Sequence, residues 1–150
     1  MQQQNSLNVH IILLAEDDPE DRFLTSRALE KNRSKHQLFT VENGRQLLDY
    51  LDGNNDYEDR GRYPMPSLIL LDLNMPGVDG REALREIRNN PSYSSIPVIM
   101  LTTSESREDI SNCYELGANS YMCKPTDFTD LMSHLEALTQ YWFETVELPE

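Results

Sequence analysis

A chain of 150 residues is long enough for one domain that buries roughly 68–70% of the surface its unfolded form exposes, so no metal or disulfide staple is required. Its 26 acidic residues against 13 lysines and arginines give a net charge of −13, which repels a phosphate backbone and argues against nucleic-acid binding. There is no signal-peptide pattern and no apolar run near the roughly 20 residues a bilayer helix needs; Cys113 and Cys123 read as free thiols, so a cytoplasmic protein without membrane contact is expected.

The polar start MQQQNSLN, residues 1–8, reads as a disordered tail, residues 9–142 as the folded domain and residues 143–150 as a C-terminal extension. The first apolar run is 9–15. Asp18-Pro19-Glu20-Asp21 comes next as an N-cap, a proline at the first helical position and acids in the first turn, opening a helix to about Lys31 with Phe23, Leu24 and Ala28 on its apolar side. A weaker run at 37–41 leads to Asn43-Gly44, which opens a second helix with Leu47, Leu48 and Leu51 inward. Residues 52–66, with their Gly, Asn, Asp and Pro, read as a long surface loop. The run 67–71 continues into LLDLNMPGVDG, and Asp79-Gly80 opens a third helix with Ala83, Leu84 and Ile87 inward. After the run 96–101, Ser104 or Glu105 is expected to start a fourth helix, closed by Gly117 as a left-handed residue. The run 119–123 precedes a helix from near Asp127 with Phe128, Leu131, Met132, Leu135, Leu138 and Trp142 at spacings of three and four.

Strand alternating with helix five times predicts an α/β, doubly wound parallel sheet covered on both faces, with ligands bound beyond the carboxyl ends of the strands. Those ends carry Glu16-Asp17-Asp18, Asp72, Thr102-Thr103-Ser104 and Lys124-Pro125. Two acids about 4 Å from Asp72 would each repel it by roughly 4 kcal/mol at an effective dielectric of 20, so the cluster needs a cation or a proton. Magnesium suits it, because that ion takes oxygen ligands, keeps several waters and shares one or two carboxylates with a phosphoryl group. Lys124 and Thr102 can then hold the remaining phosphoryl oxygens. With Pro19 at the first helical position, Asp18 is committed as N-cap; Asp17 is assigned as the direct metal ligand and Glu16 as one acting through water.

Each residue alone has a plainer reading. Asp72 could be a turn former before Pro76, Lys124 a solvated charge, Thr102 a β-branched strand residue and Tyr121 a half-buried aromatic; the weight comes from their convergence. Taken together, Glu16-Asp17, Asp72 in LLDLNMPGVDG, Thr102 in VIMLTTS and Lys124 in GANSYMCKP resemble the receiver domains of two-component response regulators over almost the full chain. The resemblance implies a flavodoxin-like five-stranded sheet of order 2-1-3-4-5 with five helices. It implies Asp72 as acceptor of a phosphoryl group from the phosphohistidine of a sensor histidine kinase, and the Asn74 backbone carbonyl as a further ligand to Mg2+. It also implies a cis Lys124–Pro125 peptide, and a switch in which the phosphoryl oxygens draw Thr102 inward, Tyr121 changes rotamer, and the face of helix four, strand five and helix five is remodelled.

Two other classes compete. Haloacid-dehalogenase phosphatases also use an aspartyl nucleophile with magnesium, but their second acid is replaced here by Asn74, which leaves no general acid for turnover. A nucleotide-binding flavodoxin-like module would need a Gly-rich phosphate loop, and none comes after a strand. A phosphorylation-independent adaptor is the remaining alternative to a phosphoacceptor that is not a turnover enzyme. From Asp127 onward only 24 residues remain, too few for an output domain, so output is expected through a partner or a changed assembly. Trp142 can close the domain's own core, but Tyr141, Phe143, Val146 and Leu148 cannot all face it. This tail and the long loop resemble the stand-alone regulators of cyanobacterial phytochromes. That resemblance implies a light-sensing kinase as donor and a homodimer through the face of helix four, strand five and helix five; from their apolar character, Tyr141, Trp142, Phe143, Val146 and Leu148 are expected at its interface.

Overall fold

Residues 9–32 and 34–149 are described in the computed structural model; the tail expected at 1–8 lies outside them. The apolar runs form strands β1 (His10–Ala15), β2 (His36–Val41), β3 (Leu68–Leu71), β4 (Val98–Thr102) and β5 (Ser120–Cys123). Between and after them run helices α1 (Pro19–Glu30), α2 (Gly44–Asp52), α3 (Gly80–Asn89), α4 (Arg107–Leu116) and α5 (Phe128–Gln140). All strand pairs are parallel and the order is β2-β1-β3-β4-β5, the flavodoxin-like arrangement expected.

Side chains alternate across a strand, and here both faces are apolar, which is why the strands read as unbroken hydrophobic runs. Leu13, Ile69, Leu71, Val98 and Met100 share one core with α2 and α3, whose Leu47, Leu51, Leu84 and Ile87 are buried. Ile12, Leu14, Leu68, Leu70 and Ile99 share the other with α1 and α5. The helix punctuation matches the sequence closely. Asp18, Asn43, Asp79 and Asp127 are side-chain N-caps, and Gly117 ends α4 at φ 110°, a conformation that favours glycine.

Several expectations are corrected. In α1 the inward row is Thr25, Ala28 and Leu29, whereas Phe23 and Leu24 are 59% and 38% exposed. The sheet-facing stripe starts one position further round the helix than the apolar residues suggest. The fourth helix starts at Arg107 with Ser106 as N-cap, because the Ser106 hydroxyl accepts from Asp109 N at 3.2 Å while Ser104 is engaged elsewhere. The Lys124–Pro125 peptide is trans, since no described peptide bond is cis; trans is the isomer an X–Pro bond prefers by roughly 0.5–1 kcal/mol.

The segment between α2 and β3 is more than a surface loop. Arg60 donates to the carbonyls of Tyr50 and Leu51 at 2.7 and 3.1 Å, closing the C-terminal end of α2, and the rings of Tyr57 and Tyr63 pack on Tyr50 at centroid distances of 5.1 and 5.8 Å. Beyond α5 the chain makes a π-helical turn, Tyr141–Thr145. The Phe143 ring stacks on His10 at 4.2 Å and 3°, and Leu148 reaches a cavity shared with Met65, Ile96 and Pro97. Much of the tail's apolar surface is therefore taken up within the chain.

Contact at the start of α3 positions the site. Gly80 N donates to Leu73 O at 2.8 Å, and a Cβ at Gly80 would lie 2.4 Å from the Asp72 carbonyl oxygen. Only a hydrogen side chain lets α3 rest directly on the Asp72–Leu73 backbone.

Candidate functional site

The backbone brings four strand ends into register before any side chain is considered. Asp72 N donates to Ala15 O at 3.0 Å, Glu16 N to Val41 O at 3.1 Å and Lys124 N to Thr102 O at 2.7 Å, continuing the ladders past the ends of the strands. Glu16, Asp17 and Asp72 thereby each offer a carboxylate oxygen, all within 4.8 Å of one another, with Glu16 and Asp72 buried. Among the described residues this is the group of three or more acidic, histidine or cysteine side chains able to share a metal ion. Its all-oxygen donor set fits a hard divalent cation.

Local bonds hold each acid in place. Asp18 is spent as N-cap, accepting from Glu20 N at 2.9 Å, and its own N–H donates to Glu16 Oε2 at 3.2 Å. Arg22 donates to the Glu16 carbonyl at 2.8 Å, tying α1 to the turn that carries the acids. Leu73 N donates to Asp72 Oδ1 at 2.8 Å, which orients the carboxylate at the mouth of β3. Asn74 is exposed next to the buried Leu73.

Lys124 lies under this cluster, almost wholly shielded, with its ammonium on Glu16 Oε1 and 3.3 Å from Asp21 Oδ2. Asp21 is a site residue that sequence reasoning treated only as a first-turn acid. Its partner Lys124 lies 103 residues away, so no local spacing could have revealed it. Burial works to lower the Lys124 value, but the Glu16 hydrogen bond and the charges of Asp72, Glu16 and Asp21 outweigh it and keep the ammonium protonated. Burial raises the Glu16 carboxyl to about 7 against the lowering effect of the Lys124 hydrogen bond, and the Asp72 charge adds to the rise. One lysine does not neutralise three crowded carboxylates.

Thr102 is fully buried, and its hydroxyl is the buried side-chain polar atom left without a hydrogen-bond partner among the described residues. Such a group costs about 1–3 kcal/mol in desolvation. Tyr121 is half-buried against the α2–α3 core and its hydroxyl donates to the Ser104 carbonyl at 2.9 Å. Ser104 in turn donates to Asp109, and this bond, with smaller contributions from Arg81, holds the Asp109 carboxyl below its ordinary value against the opposing effect of desolvation. Of the tail residues assigned to an interface, Tyr141 is 51% exposed, and Trp142, Phe143, Val146 and Leu148 are partly covered.

A parallel sheet with acids at the mouths of β1 and β3, a buried hydroxyl at β4 and an ammonium at β5 defines a receiver-type signalling domain. The chain belongs to the response regulator receiver domain family, which residues 12–136 match. It is 40% identical to the response regulator Rcp1 of Synechocystis sp. over 139 residues, 93% of this chain and 92% of that protein. The crystal structure of the phosphorylated cyanobacterial phytochrome response regulator RcpA is similar with a TM-score of 0.88 at 35% identity, covering 95% of this chain and 100% of that one. The Mn(2+)-bound form of Rcp1 gives 0.84 at 39% identity, over 94% and 99%. No helix among the described residues is long and apolar enough to cross a membrane.

The buried groups have two measurable consequences. The folded chain holds the Glu16 proton up to about pH 7, whereas the ordinary value is 4.5. The folded state therefore binds more protons between those values, and this contribution to stability is lost as pH rises through about 7. In chelator, the urea midpoint is expected to fall between pH 5.5 and 8, and Glu16→Gln to flatten that slope. Thr102→Val removes the unpaired hydroxyl at nearly constant shape, so its urea midpoint is expected to equal or exceed that of the wild type, where an ordinary buried threonine would lose stability.

Proposed function

We propose that Asp72 is the phosphoacceptor of a two-component pathway, taking its phosphoryl group from the phosphohistidine of a sensor histidine kinase, and that the kinase is a phytochrome. The observation that carries the acceptor assignment is the convergence of Glu16, Asp17 and Asp72 within 4.8 Å beside a largely shielded lysine. Likeness to the phytochrome response regulator RcpA supports the phytochrome assignment. The proposed compartment is the cytoplasm, where such a kinase presents its phosphohistidine.

Mg2+ is the proposed cofactor: Asp17, Asp72 and the Asn74 carbonyl would hold it, with Glu16 acting through water, and it would offset charge on the phosphoryl oxygens. An Asp72 carboxylate oxygen attacks phosphorus in line as the P–N bond to the donor imidazole breaks and the imidazole nitrogen keeps the electron pair. Lys124 balances charge on the entering group from below, and water later cleaves the acyl phosphate. The unpaired Thr102 hydroxyl is a donor waiting for an acceptor, and a phosphoryl oxygen supplies one. That bond would draw the β4 end inward and change the surroundings of Tyr121, whose hydroxyl holds the loop after β4. With Asn74 in place of a second acid, no side chain at that position can protonate a phosphate-ester leaving group, which favours slow self-dephosphorylation over turnover.

Acetyl phosphate with Mg2+ is expected to phosphorylate the wild type, and Asp72→Asn or chelator to abolish the product seen by intact-mass spectrometry. An identical product in Asp72→Asn would overturn the assignment. Asp17→Asn is expected to weaken Mg2+ at least about tenfold by titration, since loss of even an outer-shell partner of a ligand costs about that much.

A homodimer is a second reading, favoured by the exposed Tyr141 at the rim of a groove of about 770 Å3 lined by Tyr121, Met122, Leu138 and Trp142. Sedimentation at high micromolar concentration is expected to show a dimer that Tyr141→Ala weakens; a wild-type monomer would rule it out.

A further inference from the structure

We infer that Arg22 is a positioning residue for the metal: its guanidinium clamps the peptide groups on either side of Asp17 and so aims the Asp17 carboxylate at the cation. The inference rests on the proposed Mg2+ site.

Two of the three clustered acids are held through their own carboxylates. Asp18 N donates to Glu16 Oε2 at 3.2 Å while Lys124 sits on the other Glu16 oxygen, and Leu73 N donates to Asp72 Oδ1 at 2.8 Å. Asp17 is held differently. Among the described residues no donor lies within hydrogen-bond distance of its carboxylate, so the direction of that side chain is inherited from the backbone.

Arg22 governs that backbone. One of its terminal nitrogens donates to Glu16 O at 2.8 Å and makes a longer, weaker contact with Asp17 O at 3.5 Å. Glu16 O belongs to the planar peptide group before the Asp17 Cα, and Asp17 O to the one after it. Holding both planes from one point fixes φ and ψ of Asp17, and with them the direction of its Cα–Cβ bond. The arm itself starts from a fixed base, because Arg22 N donates to Asp18 O at 2.9 Å in the first turn of α1. Arg22 follows five acids, Glu16, Asp17, Asp18, Glu20 and Asp21, yet among the described residues it forms no ion pair with any of them. Its half-buried guanidinium turns to carbonyls instead.

Charge and position act in opposite directions here. A guanidinium beside a cation site repels the cation, so an Arg22 that contributed only charge would, on removal, tighten Mg2+. An Arg22 that aims Asp17 would, on removal, weaken it. Position outweighs charge, because Mg2+ demands near-ideal octahedral geometry and a ligand is useful only within about 0.2 Å of its proper distance.

The test titrates the full chain with Mg2+ alone, following the Asp72 amide by NMR, with urea midpoints measured in chelator. Arg22→Met is expected to weaken Mg2+ roughly tenfold, the low end for loss of a residue that orients a ligand. Arg22→Lys keeps the charge on a shorter arm and is expected to fall between Arg22→Met and the wild type. In an Asp17→Asn background Arg22→Met is expected to cause no further weakening, since residues that act through one another are not additive. Should Arg22→Met fail to fold, Arg22→Lys decides: weaker Mg2+ than the wild type supports the inference, and equal or tighter binding overturns it. Unchanged or tighter Mg2+ in a folded Arg22→Met, even with a lower urea midpoint, overturns it and leaves Arg22 a structural residue or a bare charge. Equal weakening in both backgrounds overturns it as well. A wild type that binds no Mg2+, or an Asp17→Asn that binds it as the wild type does, removes the metal reading and this inference together, whereas a weakened Asp17→Asn beside an unaffected Arg22→Met removes this inference alone.

Discussion

Three carboxylates crowded at the carboxyl edge of a buried sheet are the constraint around which the rest of this chain is arranged. Repulsion between such groups is large where water is scarce, and the fold meets it with several devices at once. Asp18 is diverted to cap α1, Lys124 is buried beneath Glu16, and Leu73 N and Asp18 N each donate to a carboxylate oxygen. The uncompensated remainder shows in Glu16, which burial raises to about 7. Charge left over in a preorganised place is a binding site for charge of the opposite sign, and the same residual field that costs stability makes the site useful.

The rigidity of the sheet makes that arrangement possible. Strands β1, β3 and β4 are apolar on both faces, so none can slide or rotate without exposing a row of side chains to water. The acids at their ends inherit that fixity. By contrast β5 is an edge strand whose residues are all only partly buried.

Features governed by neighbours in sequence were legible in advance. Asp18-Pro19, Asn43-Gly44, Asp79-Gly80 and Gly117 mark helix ends through bonds made within a few residues, and the apolar runs declare a parallel sheet because both faces are covered. Features governed by distant partners were not. Phe23 and Leu24 look inward on a helical wheel, yet the row that meets β1 and α5 starts at Thr25. Ser104 or Glu105 was expected to open the fourth helix; Asp109 and Tyr121 engage Ser104 instead, and Ser106 caps the helix. Asp21 joins Lys124 across 103 residues, which no local pattern encodes. The acids, the threonine and the lysine stand out in the sequence because each lies at the end of an apolar run.

Trp142 is the chain's single tryptophan, and it sits where α5 passes into the π-helical turn, half-covered, with its ring edge-on to Tyr141 at 5.3 Å. Indole emission is sensitive to the wetness and packing of its surroundings, and no second indole dilutes the signal. The unlabelled protein therefore carries an optical reporter at the seam between domain and tail. Docking, undocking or covering of that seam by another molecule becomes visible as a change of colour in its fluorescence, while the tyrosines gathered around Tyr50 on the opposite flank of the sheet supply an independent ultraviolet signal from the fold itself.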